Sequence, residues 1–206
     1  MTAVARMTLL HLRTIAPYRI PGLLVFGAIV LIDSRNPVVL VPTLALVLAP
    51  ILTAQPFVVG DKADLQTLYA VLPLPRRTVL LGHYAWALMS FFVVAIAGTA
   101  LAALLAQAQG IPFGRSVATL LTLCWALFAV NISIQLPLLI RFGYTRINLL
   151  VTTMPVALLL AGVVRLHLVD IESIRDWLAL FWVAGAAAIA ASATLASHAS
   201  RQRQGA

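Results

Sequence analysis

The chain is 206 residues long, 62% hydrophobic and only 10% charged, whereas an ordinary soluble domain carries about a quarter charged residues. That composition excludes a soluble globular fold and indicates an integral membrane protein. The net charge of +8 rests on arginine, because Lys62 is the only lysine, and in so apolar a chain it reads as the basic flank of membrane spans rather than a nucleic-acid surface.

In chain order, residues 1–17 place Arg6, His11 and Arg13 among Val4, Met7, Leu9, Leu10 and Leu12. This is too polar to cross a bilayer and reads as an interfacial amphipathic helix ended by Pro17. A basic start followed by an apolar run could be a signal peptide, but the run leads into Asp33-Ser34-Arg35 without a small-x-small cleavage site, so it is kept as a span. That first span, 18–33, has a short uncharged core from Ile20 to Ile32, against about 20 residues for a full crossing. The second, 38–59, contains Pro42, Pro50 and Pro56. Each proline removes an N–H and frees a carbonyl that must find a partner elsewhere, so the sequence predicts a kinked or broken helix.

Residues 61–77 interrupt the apolar pattern. Asp61 can cap a helix, with Asp64 in its first turn and Leu65, Leu68, Tyr69 and Leu72 forming one apolar face. Pro73 stops it, Pro75 suits the first turn of the next helix, and Arg76 and Arg77 stand at the base of a third span over 78–106. Gly110, Pro112 and Gly114 mark a turn before the fourth span, 117–140. Arg141 and Arg146 lie in a short loop before the fifth, 147–164. An external amphipathic helix capped by Asp170 precedes the sixth, 177–199, where Ala184, Ala188, Ser192 and Ala196 form a small-residue ridge suited to close helix approach. Ten of the fourteen basic residues fall on the flanks that share a side with the N-terminus. The positive-inside rule therefore gives an all-α fold of six spans in one transmembrane domain, 1–206, with both termini cytoplasmic.

The spans lack the ionisable groups that ion-coupled transport and intramembrane proteolysis use at membrane depth. The four histidines fall near span ends without metal-ligand spacing, and a phosphate-binding loop cannot form around Lys62. Polar groups at depth are Gln55, Asn131, Ser133, Gln135, Thr152 and Thr153. They read either as hydrogen bonds between helices or, for Gln55, Asn131, Gln135 and Thr152, as the wall of a path for an amphiphile.

The stretch from Asp61 to Tyr84, DKADLQTLYAVLPLPRRTVLLGHY, resembles the loop between the second and third spans of bacterial ABC-type exporter permeases of the type-2 family. Asp61 matches the acidic start, Leu72-Pro73-Leu74 the turn, Arg76 the arginine and His83-Tyr84 the closing pair; Lys62, Pro75 and His83 depart from the usual residues. The resemblance implies a permease subunit in the cytoplasmic membrane, binding no cofactor itself, with ATP and Mg entering through a separate P-loop ATPase. It implies that residues 61–72 form a coupling helix in a groove of that ATPase, with Asp61, Asp64, Leu65, Leu68, Tyr69, Leu72, Pro73, Arg76 and Arg77 as the coupling residues. A second copy or a related permease would complete the transporter, and an amphiphilic peptide, lipid or drug would be the cargo. The other reading is a non-transporting membrane scaffold or toxin-immunity protein.

Overall fold

The computed structural model describes residues 8–9, 19–62, 76–111, 113–114, 117–147, 149, 153–154, 157 and 177–202. Among them the regular elements are all helical: α1 (Arg19–Asp33), α2 (Pro37–Thr43), a π-helical turn (Leu44–Leu48), α3 (Ala49–Lys62), α4 (Arg76–Gln109), α5 (Val117–Phe142) and α6 (Leu178–Gln202). Four stretches are long and apolar enough to cross a membrane, Pro37–Asp61, Arg77–Gln109, Val117–Phe142 and Leu178–Ser197, and Gly22–Asp33 is a shorter apolar helix. Most of the predicted interfacial helix (1–17), fifth span (147–164) and external helix (165–176) lies outside the described residues.

The second apolar stretch is continuous but not uniform. Pro37 starts α2 in the first turn, where its missing N–H is not needed. Between Pro42 and Pro50 the hydrogen-bond register widens, so that the Ala49 N–H reaches back to the Leu44 carbonyl. The chain returns to α-helical register at α3, which carries Pro56 inside it. The missing N–H of Pro56 would have bonded the carbonyl four residues back, that of Leu52. The Trp86 indole N–H on α4 donates to that carbonyl instead, at 3.0 Å. A break written by the proline thus becomes a fastening between two helices.

The core is a seam of apolar side chains shared by the second apolar stretch, α4 and α5. Leu40, Leu44, Phe91, Phe128, Ile132 and Leu136 are all essentially inaccessible. Phe91 of α4 stacks on Phe128 of α5 with centroids 4.5 Å apart. α6 packs alongside α5 in the same direction. Trp125 and Trp182 stack at 4.9 Å, the Trp125 indole donates to the Trp182 carbonyl at 3.1 Å, and the Trp182 indole donates to Thr122 Oγ1 at 2.9 Å. Gly185 makes this possible: a Cβ there would lie 2.6 Å from Trp125 Nε1 and 3.1 Å from the Ala129 Cβ. The inward face of α6 therefore follows Gly185, Ile189 and Ser192, all buried. The small-residue ridge read from the sequence is exposed at Ala184 and buried at Ser192, because a strict i+4 line drifts about 40° per step on a 3.6-residue helix.

Candidate functional site

One end of the bundle gathers Arg76, Arg77, Arg141 and Arg146. There α3 ends at Lys62 and α4 begins at Arg76, and the two helices are held side by side by a stack of Phe57 on His83 with centroids 4.4 Å apart. α5 finishes nearby at Phe142, and Gly143 closes it: with φ at +75° its N–H bonds the Leu139 carbonyl at 2.9 Å. That left-handed turn is one a glycine adopts without strain. A short helical stretch, 144–147, follows.

Asp61 joins these segments. Its Oδ2 accepts the backbone N–H of Tyr144 at 2.8 Å and of Thr145 at 3.0 Å, with Thr145 Oγ1 at 3.4 Å. The first N–H groups of a helix have no partner within it, and a carboxylate there satisfies them and complements the helix dipole. The local sequence puts Asp61 at the start of a helix it would cap. The structure sets Asp61 in the last turn of α3, where its Oδ2 caps a helical turn 83 residues further along; the helix it would itself open lies outside the described residues. Arg77, Arg141 and Arg146 are exposed around this junction, the Arg141 guanidinium lying 5.3 Å above the Phe142 ring. Of the other coupling residues, Arg76 opens α4, while Asp64, Leu65, Leu68, Tyr69, Leu72 and Pro73 lie outside the described residues.

Two turns into the bundle, a hydrogen-bond chain crosses three helices. Pro137 in α5 frees the carbonyl of Ser133. Ser192 Oγ on α6 donates to that carbonyl at 2.8 Å, and the Tyr84 hydroxyl on α4 lies 2.7 Å from the same Ser192 oxygen. A serine hydroxyl has one proton, so with that proton given to Ser133 it accepts from Tyr84. Tyr84, the last residue of the motif in the loop resemblance, is thereby tied to the middle of the bundle. Ser192 carries no sequence signal for this role beyond the small-residue ridge. Trp86, two residues after Tyr84, carries none.

The buried polar residues predicted on the fourth span do meet, but along one helix rather than between two. Asn131 Nδ2 donates to Gln135 Oε1 at 3.0 Å, with the residues 1% and 0% exposed. Asn131 Oδ1 and Gln135 Nε2 are buried without a partner. Gln55 is half-buried on α3, and Thr152 lies outside the described residues. Beside the aromatic stack, α4, α5 and α6 leave an apolar recess of about 410 Å³ lined by Phe91, Phe92, Ile96, Leu121 and Trp182 among others. Among the described residues no three His, Cys, Asp or Glu side chains come together as a metal site. The polar geometry fastens helices to one another and leaves one unfilled amide pair in the interior.

A family model described as an ABC-2 family transporter protein matches residues 8–200. No curated protein and no solved structure matches the chain.

Proposed function

Because the chain belongs to the ABC-2 family of transporter proteins, and is thus the membrane subunit of an ABC transporter, we propose that it is the permease of an ATP-driven exporter. The observation that carries this reading is the family match along nearly the whole chain. A separately encoded ATPase would bind ATP and Mg and dock on the arginine-rich end, which the positive-inside rule places in the cytoplasm. Residues 61–77 would carry the coupling helix, with its leucine and tyrosine face seated in a groove of the ATPase. Six spans are supported by the direction of the helices. α5 ends at the arginine-rich end beside Asp61, whereas α6 begins at the opposite end, where Trp182 meets Thr122. A crossing between them satisfies both.

Two permease copies, or this chain and a related one, would enclose the path of an amphiphilic cargo. The interior offers apolar and aromatic walls, and in Asn131 and Gln135 a buried amide pair with one unused acceptor and one unused donor group. Leaving such a group unpaired costs about 1–3 kcal/mol. We assign this pair, with Gln55, to the wall that meets the cargo's polar portion.

Affinity purification of the tagged protein from gently solubilised native membranes, followed by mass spectrometry, tests the assignment. A stoichiometric P-loop ATPase is the expected companion, and any second permease would identify a heterodimer. Intact protein without an ATPase would overturn the exporter reading in favour of a scaffold or immunity protein.

A further inference from the structure

We propose that α5 is hinged at Ser133–Pro137, with the Ser192 hydroxyl as the brace that holds it straight and the half-paired amides of Asn131 and Gln135 as the bias toward bending. The inference rests on the permease reading above and on the cargo-facing role given there to the amide pair. In this conformation no cargo can touch that pair, because its two residues are 1% and 0% exposed. Reaching them requires part of the bundle to move, and three observations place the movement in α5.

First, the backbone is weakest there. Pro137 lies inside α5 and has no N–H for the Ser133 carbonyl, and prolines are a common cause of sharp helix kinks. The replacement donor, Ser192, belongs to α6, so the straightness of α5 depends on where its neighbour stands. Secondly, the packing divides at the same place. The main core takes in α5 residues from Cys124 to Leu136. Leu139, beyond the proline, packs instead in a small separate cluster with Ala54 of α3. The two sides of Pro137 are therefore held by different buried partners. Thirdly, unmet hydrogen bonding collects at this turn. Asn131 Oδ1, Ser133 Oγ and Gln135 Nε2 are buried without a partner. The one bond the two amides share, from Asn131 Nδ2 to Gln135 Oε1, overlaps the turn that Pro137 weakens. Buried polar groups are normally paired. The straight helix thus carries a cost that bending removes, by letting water or the polar part of a cargo reach them.

The test uses the full chain in lipid nanodiscs, first alone and then with the ATPase recovered by affinity purification. Ala54→Cys places a thiol against Leu139, beyond the hinge, while the native Cys124 stays buried in the main core before it. Labelling of each thiol by N-ethylmaleimide, read by mass spectrometry, separates hinge opening from general loosening. Removing the brace with Ser192→Ala is expected to speed labelling at position 54 about fivefold or more, with Cys124 unchanged. Adding Pro137→Ala, which restores the backbone bond, is expected to return that rate to near its starting value. Replacing both amides, Asn131→Leu with Gln135→Leu, removes the bias and is expected to slow labelling at position 54 about fivefold. With the ATPase present, ATP and Mg are expected to speed it in the chain that carries only the reporter thiol.

No acceleration in Ser192→Ala, or equal acceleration at both thiols, would overturn the hinge, as would fast labelling that Pro137→Ala fails to slow. An apolar pair that leaves the rate unchanged would overturn the part given to the amides. ATP hydrolysis with no change at position 54 would overturn the part of the hinge in transport. The permease reading fails separately, when the purification recovers no ATPase, and labelling of the chain alone still reads the hinge.

Discussion

Pro56 and Pro137 pose the same problem in different helices, and the bundle answers them with different donors. Below Pro56 the orphaned Leu52 carbonyl receives the indole N–H of Trp86. Below Pro137 the orphaned Ser133 carbonyl receives the hydroxyl of Ser192, which is in turn bonded to Tyr84. An indole only donates, so its bond ends where it begins and joins one pair of helices. A hydroxyl donates and accepts, so the same repair extends to a third helix. The first arrangement is a fixed rivet between α3 and α4. The second lets α4, α5 and α6 register one another's position.

The largest effect is expected at the glycine that allows α6 to approach. Gly185→Val would drive a side chain into the Trp125 indole, and is expected to destabilise the protein by about 3 kcal/mol, read by SDS-induced unfolding in bicelles. Next comes the hydroxyl. Ser192→Ala would leave the Ser133 carbonyl and the Tyr84 hydroxyl without this partner, at a cost of about 2 kcal/mol. In a Pro137→Ala background, where residue 137 regains an N–H for that carbonyl, the same change should cost about half as much. A fully additive cycle would contradict the repair.

The rivet is expected to be worth less. Trp86→Phe keeps most of the ring and deletes the N–H, with an expected loss of about 1 kcal/mol that Pro56→Ala offsets. Tyr84→Phe removes only the outer link of the three-helix chain and should cost about 0.6 kcal/mol by the same unfolding assay. If Tyr84→Phe proved as damaging as Ser192→Ala, the Tyr84 link and not the repair of the Ser133 carbonyl would carry the chain's stability.

Much of this architecture is legible before any coordinates. The prolines announce where the second apolar stretch changes register, and hydropathy finds the long helices because a bilayer demands uninterrupted apolar runs. What could not be read was the partner of each polar group. Asp61 looks like the cap of the helix that follows it, since the local pattern is sufficient for one. Its partners among the described residues, Tyr144 and Thr145, are brought near by helix packing and leave no trace in sequence spacing. Asn131 and Gln135 were visible as a pair, yet whether they bond each other or a neighbouring helix is decided by rotamers. Of the small-residue ridge on α6, Ser192 turns into the bundle and Ala184 outward for a geometric reason, the drift of an i+4 line around the helix. For the coupling residues between Asp64 and Pro73, the amphipathic pattern and the family remain the grounds for assignment.

The paired indoles of Trp125 and Trp182 have an optical consequence. Two chromophores held 4.9 Å apart and 14° from parallel are close enough to couple their electronic transitions. Any change in the separation of α5 and α6 would alter the ultraviolet circular dichroism of that pair. The protein thus carries its own label-free spectroscopic ruler between two of its helices.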